Sequence, residues 1–148
     1  MAYGKRFEAT HWLDNETGEI RDDLIPMMVP KKQVNGFKTG WFAMSQDATD
    51  YIAENIRTVD DYRVLMKLAS KLDFENLICI SAVEVAQELK MKPSNFSRSV
   101  RRLKELGILI EGPRVGKSKT YRLNPNVGWK GSAKNHKNAL RQHLSVVK

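Results

Sequence analysis

Apolar residues in the middle of the chain recur every three or four positions, which predicts two amphipathic helices. The first begins after Ser45, whose hydroxyl can cap it, and runs to about Ile56. The second begins after Thr58, which forms with Asp61 a pattern resembling a capping box, and runs to about Leu72. The apolar faces of these helices are expected to hold Ala48, Ile52, Ile56, Leu65, Leu68, Ala69 and Leu72.

Two further helices, separated by a short turn, follow a brief apolar run. Ser81 and Glu84 form a second capping box at the start of the first of them. After the turn, Pro93 suits the start of the next helix, because its missing N–H has no helical partner there. Gly107 is the expected residue just beyond the end of that helix. The two helices are expected to span 82–89 and 94–106.

A β-hairpin is predicted directly after these helices. Two apolar-rich runs, 108–111 and 119–123, flank a loop that contains two glycines and a proline. A capped helix, a short turn, a proline-started helix, a glycine and a hairpin follow one another in the order of a winged helix-turn-helix. We place this winged helix-turn-helix between about Leu77 and Leu123.

The beginning of the chain predicts strands rather than helices. Runs 7–13 and 19–21 flank the turn-forming residues 14–18, a pattern that indicates a β-hairpin. Segment 24–30 contains two prolines and is expected to be an extended connection. A loop and a short strand are expected to follow over 31–40 and 41–44.

These elements predict an α+β protein with three segments. An N-terminal hairpin extension covers 1–44, the winged helix-turn-helix domain covers 45–131, and a basic C-terminal tail or helix covers 132–148. The last segment is expected to pack on the domain or on a second subunit, with Trp129 as its attachment point; a direct DNA arm is the alternative. Its apolar residues lie at roughly helical spacing, at Ala133, Leu140, Leu144 and Val147.

The charge of the chain is strongly asymmetric. The 148 residues carry a net charge of +8. Segment 91–148 has 14 Lys and Arg against two acids, a balance of +12, whereas 1–90 has 11 against 15, a balance of −4. A basic surface of this kind favours a polyanionic partner such as nucleic acid, with an ordinary solvated basic surface as the alternative.

The proline-started helix has two distinct faces. Phe96, Val100 and Leu103 recur at i, i+4 and i+7 and form a narrow apolar stripe. The opposite face and its flanks combine short polar side chains with arginines, as a helix that enters the DNA major groove requires. The residues expected to contact double-stranded DNA from this helix are Ser94, Asn95, Ser97, Arg98, Arg101 and Arg102.

The predicted hairpin loop contains the cationic residues expected of a DNA-binding wing. Its cations are expected to reach phosphates or the minor groove beside the recognition helix, although an ordinary solvated hairpin is the alternative. The expected wing contacts are Arg114, Lys117, Ser118 and Lys119. Weaker contacts are expected from the tail, at Lys130 and Lys134.

Two stretches in and after the predicted winged helix-turn-helix have a recognisable sequence pattern. Residues 103–109 look like the passage from recognition helix to wing in many bacterial winged-helix proteins. The run Tyr121-Arg122-Leu123-Asn124-Pro125, followed by Trp129-Lys130-Gly131, is similar to the end of the wing in RepL-type plasmid replication proteins. The resemblance covers roughly 81–131 and implies binding at a plasmid origin and recruitment of host replication proteins.

The sequence lacks the long apolar segments that are typical of membrane and secreted proteins. No apolar run reaches the ~20 residues that span a bilayer, and the chain starts without an apolar signal segment. The single cysteine, Cys79, lies within an apolar run and is expected to be a buried small hydrophobe. A reducing cytoplasm is therefore the expected compartment.

The sequence also shows no pattern of residues that predicts catalysis or cofactor binding. Residues 112–118 mimic a phosphate-binding loop, but their glycines are wrongly spaced and a strand follows them. His11, His136 and His143 show no metal-ligand spacing with Cys79. We expect a protein without metal, cofactor or catalysis, and a metal nuclease is the remote alternative.

The predicted function is sequence-specific binding of double-stranded DNA by a replication initiator at its origin. The alternative is a winged-helix transcriptional repressor or copy-number regulator at an operator. An adaptor whose winged helix binds protein is a third hypothesis, which the basic C-terminal part disfavours. A homodimer is expected because helix-turn-helix proteins usually bind paired half-sites.

Overall fold

The computed structural model describes residues 12–13, 18, 20–21, 36–37 and 39–146, with side chains of the last helix described through His143. The chain divides into two compact units, 1–36 and 37–148. In the first unit, β1 (Trp12–Leu13) pairs antiparallel with β2 (Ile20–Arg21). This pairing confirms the predicted hairpin in its described strands. The remainder of strand 7–13, the connection 24–30 and the loop over 31–35 lie outside the described residues.

Four helices of the second unit begin where the sequence predicts. Ser45 accepts a hydrogen bond from the N–H of Ala48 at 3.1 Å, and Thr58 accepts one from Asp61 at 3.2 Å. Ser81 accepts from the N–H of Glu84 at 3.4 Å, and Pro93 occupies the first turn of its helix. The helices are α1 (Gln46–Asn55), α2 (Val59–Ser70), α3 (Ala82–Glu88) and α4 (Pro93–Glu105).

The second unit also contains two small antiparallel sheets. One pairs β3 (Ala43–Met44) with β7 (Gly128–Trp129). The other has three strands in the order β4-β6-β5, so that the second strand of the hairpin lies in the centre. Its strands are β4 (Leu77–Ile78), β5 (Leu109–Glu111) and β6 (Tyr121–Leu123). Helices α3 and α4 followed by the β5–β6 hairpin form a winged helix-turn-helix in an α+β chain.

Packing of α4 against α2 and α3 holds the helix-turn-helix together. Phe96, Val100 and Leu103 of α4 are all buried, which confirms the apolar stripe. They share one core with Leu65 and Leu68 of α2 and with the sheet. Burial of this stripe fixes which face of α4 is left for other contacts.

Asn76 joins the two sheets through its buried side chain. Its Nδ2 donates to the carbonyls of Leu123 at 3.0 Å and Gly128 at 2.7 Å, while its Oδ1 accepts from the N–H of Lys130 at 2.9 Å. The backbone of Asn76 has φ +64, in the left-handed region that asparagine tolerates better than most residues. Asn76 is the last residue of a single 3₁₀ turn, Phe74–Asn76, that lies between α2 and the sheet.

Cys79 departs from its prediction, because the structure places it at the surface. It follows Ile78, which is completely buried, and successive residues of an extended segment point to opposite sides. The strand β4 lies at the edge of its sheet. The apolar run therefore contributes one face to the core rather than both.

The C-terminal segment forms α5 (Ala133–Val146), which packs on the domain. The indole of Trp129 stacks on the ring of His136 at a centroid distance of 5.0 Å. Its Nε1 donates to the carbonyl of Ser132 at 3.0 Å, and Nε2 of His136 contacts the carbonyl of Pro125 at 2.8 Å. Trp129 thus attaches the helix to the domain, as the sequence predicts. Among the residues that the structure describes, no helix is long and apolar enough to cross a membrane.

Candidate nucleic-acid interface

The face of α4 that points away from the core combines short polar and basic side chains. Ser94, Ser97, Arg98 and Arg101 are all exposed. Asn95, also expected at this surface, is partly buried on the flank of the helix. Small side chains near the helix start permit close approach of a partner, and the arginines can extend beyond them. The sole acid of α4 is Glu105, its last residue.

Arg102 does not belong to this exposed face. Its NH1 lies 3.1 Å from Oδ2 and 3.2 Å from Oδ1 of Asp61 on α2, and 3.4 Å from Oγ1 of Thr58. Successive residues of an α-helix are rotated by about 100°, so Arg102 lies on the flank of α4 that faces α2. Arg102, which the sequence predicts to face DNA, thus pairs with a buried carboxylate on α2.

Burial and hydrogen bonding have opposite effects on the pKa of the Asp61 carboxyl group. Burial raises its pKa, but hydrogen bonds from Ser99, Thr58 and Arg102 outweigh this effect and leave the pKa below the usual 3.8. The positive charge of Arg102 acts in the same direction. The ionised form of Asp61 is thus the one that the folded protein stabilises.

We expect Asp61→Asn to lower the free energy of unfolding at neutral pH by about 1–3 kcal/mol, because hydrogen bonds to a charged group are removed. Since the folded-state pKa lies below the unfolded value, this contribution is complete above pH ~4 and is lost as the pH falls through the folded-state pKa. Urea unfolding of both proteins across the acid range measures the difference.

Glu88→Gln is the matched control for this measurement, because Glu88 is an exposed carboxylate that pairs with Lys67 and Lys71. Exposed ion pairs contribute little, so this variant should unfold much like the parent. A difference between parent and Asp61→Asn that persists unchanged at low pH would contradict the assigned ion pair.

The wing tip carries three exposed cations on an ordered turn. Val115 and Ser118 exchange backbone hydrogen bonds of 3.3 and 3.0 Å, and Gly116 between them has φ +62. The hydroxyl of Thr120 donates to the carbonyl of Pro113 and closes the loop from inside. The side chains exposed around this turn are Arg114, Lys117, Ser118 and Lys119. The chain then enters β6 rather than a helix, so 112–118 lacks the helix N-terminus of a phosphate-binding loop.

An ion pair on the surface links α4 to the wing. Nζ of Lys104 lies 2.8 Å from Oε1 of Glu111 on β5 and 5.9 Å from the ring centroid of Tyr121 on β6. The hydrogen bond from Lys104 and the surrounding positive charges lower the pKa of the Glu111 carboxyl. One helix residue therefore contacts both strands of the wing.

A cleft of about 570 Å³ lies between α4 and the wing. It is lined on the helix side by Ser97, Arg101 and Lys104, and on the wing side by Lys119 and Tyr121. Cations from both elements thus meet at one concave surface. Such a surface matches the path of a phosphate backbone that passes between a groove-bound helix and its wing.

The two tail lysines differ in their surroundings. Nζ of Lys130 donates to the carbonyl of Leu72 at 2.6 Å, and its backbone N–H is bound to Asn76. Lys130 is therefore engaged inside the domain, whereas Lys134 is exposed on α5. Within the part of the chain that the structure describes, no group of three or more His, Cys, Asp or Glu is arranged to hold a metal ion.

Neither a protein-family model nor a curated protein matches the chain. Among solved structures it is similar to the DNA-binding TubR fragment from Clostridium botulinum, at 22% identity and TM-score 0.39, covering 59% of this chain and 96% of that one. It is also similar to a MarR family transcription regulator, at 17% identity and TM-score 0.40, covering 68% and 60%. A possible transcriptional regulator from Methanosarcina mazei Go1 matches at 17% identity and TM-score 0.38, covering 73% and 88%. These comparisons do not confirm the resemblance to RepL-type proteins.

Proposed function

We propose that this protein binds specific sites on double-stranded DNA, with α4 in the major groove. The observation that carries the proposal is the exposed set Ser94, Arg98 and Arg101 opposite a fully buried stripe. Arginine can donate two hydrogen bonds to a guanine edge, and small residues beside it let the helix approach the base pairs. The acid Glu105 lies at the far end of α4, away from the part that would contact bases.

The wing extends this surface along the DNA. Arg114, Lys117 and Lys119 would contact phosphates or the minor groove next to the site that α4 occupies. Ser118 has an exposed side chain and can add a phosphate contact. We leave Lys130 and Arg102 out of the interface, because both already bind groups of the domain.

Regulation of transcription is the simplest process for such a protein, since occupancy of an operator by itself blocks a promoter. Replication initiation requires, in addition, surfaces that recruit host replication proteins. Residues of the segment that resembles RepL proteins have structural roles in the domain. Asn124 donates to the carbonyl of Gly107 at 2.8 Å, and Trp129 attaches α5. These roles explain why the residues are present, so the resemblance does not require binding at a replication origin.

Selection from a random duplex library tests the proposal. We expect enrichment of one sequence, bound at least ~10³-fold more tightly than a shuffled duplex at physiological salt. A homodimer would enrich two half-sites about one helical turn apart, at roughly 10 base pairs. Equal affinity for the enriched and shuffled duplexes would contradict specific binding. Mapping bound sites in the genome then separates an operator from a replication origin.

Neutralising the wing should weaken the salt dependence of binding. In a variant with Arg114, Lys117 and Lys119 all replaced by glutamine, we expect the slope of log affinity against log salt to fall by about one unit for each phosphate that the wing no longer neutralises. Fluorescence anisotropy at several salt concentrations measures this slope. Arg141→Gln, an exposed cation on α5, is the control for a general charge effect. An unchanged slope in the wing variant would rule out a wing that contacts DNA.

A further inference from the structure

The turn between α3 and α4 carries two exposed lysines, Lys90 and Lys92, on either side of Met91. Neither lysine side chain makes a hydrogen bond or an ion pair with any residue that the structure describes. Both lysines nevertheless occupy backbone positions where another type of residue would be more stable. A residue that is kept at such a position points to a role outside the folding of the domain.

Lys90 adopts a left-handed backbone conformation, with φ +54. Its N–H donates to the carbonyl of Gln87 at 2.9 Å, and the N–H of Met91 donates to that of Ala86 at 3.0 Å. These two bonds end α3 in a Schellman motif, whose left-handed position is usually glycine because a Cβ atom is disfavoured there. Lysine therefore destabilises this turn relative to glycine.

The end of α4 shows the same motif with glycine in the left-handed position. Gly107 has φ +70, and its N–H donates to the carbonyl of Lys104 at 2.9 Å. The N–H of Ile108 donates to the carbonyl of Leu103 at 3.0 Å. Two helices of one chain thus end with equivalent hydrogen bonds, one with glycine and the other with Lys90. The geometry of the motif does not account for this difference.

The groups at the end of α3 do not account for Lys90 either. Cations can bind the last carbonyls of a helix and stabilise it in this way. The carbonyl of Leu89, however, accepts a hydrogen bond from Arg63 of α2. Glu88, the last residue of α3, is paired with Lys67. The end of the helix is therefore satisfied without the Lys90 side chain.

Lys92 occupies the N-cap position of α4, directly before Pro93. Its side chain makes no capping hydrogen bond, whereas Ser45, Thr58 and Ser81 each cap a helix of this domain. A positive charge is also unfavourable at this position, because the helix dipole places partial positive charge at the N-terminus. Lys92 therefore lowers the stability of the free protein relative to serine.

The turn leads directly into Ser94 and Ser97, the small exposed residues at the start of the recognition helix. We propose, on the basis of the DNA binding proposed above, that Lys90 and Lys92 contact phosphates of the duplex at the N-terminal end of α4. A phosphate at this place would pair with the lysines, and its negative charge would also suit the positive end of the helix dipole. Such contacts fix the register of α4 on the duplex without adding base recognition.

A double variant with Lys90→Gly and Lys92→Ser tests the proposal on the full chain. We expect its Tm to rise, because glycine suits the left-handed position and serine caps α4. Its affinity should nevertheless fall by on the order of 10-fold to 100-fold at about 0.1 M salt, for the selected and the shuffled duplex alike. The slope of log affinity against log salt should decrease by about 1.8 units, since each phosphate contact contributes ~0.9.

Two control variants isolate the effect of the turn. Lys90→Arg with Lys92→Arg keeps both cations and should bind DNA as the parent does. Lys137→Gln with Arg141→Gln removes two exposed cations of α5 and should change the affinity much less. Parental affinity and slope in the glycine–serine variant, a loss confined to the selected duplex, or an equal loss in the α5 control would overturn the proposal. A Tm below that of the parent would overturn it as well, because the lysines would then serve the fold.

The same titrations separate this inference from the proposed function. A parent protein that binds the selected and shuffled duplexes equally would contradict specific binding. The difference in salt slope between the parent and the glycine–serine variant, measured on the shuffled duplex, would still decide whether Lys90 and Lys92 contact phosphates.

Discussion

Replacement of both Arg98 and Arg101 by alanine is expected to lower the affinity for the selected duplex by roughly 30-fold to 10⁴-fold. Each arginine that contacts a base contributes about 1–3 kcal/mol, so the pair accounts for about 2–6 kcal/mol. The variant should also discriminate less between the selected duplex and single-base changes within it. Anisotropy titrations against the selected and shuffled duplexes measure both effects.

Two features of these positions keep the result interpretable. Both side chains are exposed, so their removal should change the free energy of unfolding by less than about 0.5 kcal/mol. Arg102 is left in place, because its removal would leave the buried Asp61 without its ion pair. Arg141→Ala on α5 serves as the control for the change in charge. If the double variant folds normally and binds at parental affinity, this face of α4 does not contact DNA.

Phe96→Ala should produce the largest decrease in stability among the changes considered for α4. Phe96 is 1% exposed and lies in the core shared by α2, α3 and the sheet. Truncation of a buried phenylalanine removes its burial energy and leaves a cavity, which together cost about 3–5 kcal/mol. Chemical unfolding should show a lower midpoint with a similar slope.

The neighbouring substitution Ser97→Ala provides the comparison for this measurement. Ser97 is exposed one position further along the helix, so its unfolding midpoint should stay near that of the parent. A decrease of less than ~1 kcal/mol in Phe96→Ala would mean that the stripe on α4 is not the core of the domain. The orientation of Arg98 and Arg101 would then have to be reconsidered.

The helices were predictable because their signals are local. Ser45, Thr58 and Ser81 each accept a backbone hydrogen bond three residues ahead, and a residue needs only its near neighbours to do so. Pro93 and Gly107 mark the two ends of α4 for the same reason. The order of these signals was sufficient to predict the winged helix-turn-helix.

What the sequence did not reveal depends on contacts between distant residues. In the sequence, Arg102 cannot be distinguished from its neighbour Arg101. Only the packing of α2 against α4 places Asp61 beside Arg102. Pairing of β3 with β7, and the link that Asn76 makes between the sheets, join segments far apart in the chain. Cys79 could have been placed by the alternation of an edge strand, but a continuous apolar run gives no sign of which residues face outward.

The most direct test of DNA binding by this winged helix is to map the contacting surface by NMR, with ¹⁵N-labelled protein and the selected duplex. The largest changes in amide chemical shift should fall in two segments, residues 94–101 of α4 and the non-proline residues of the wing loop 112–119. The shuffled duplex should produce weaker changes that disappear as salt is raised, because phosphate contacts alone hold it. Changes confined to α5 or α2, with α4 and the wing unaffected, would contradict the proposal that the protein binds DNA through its recognition helix.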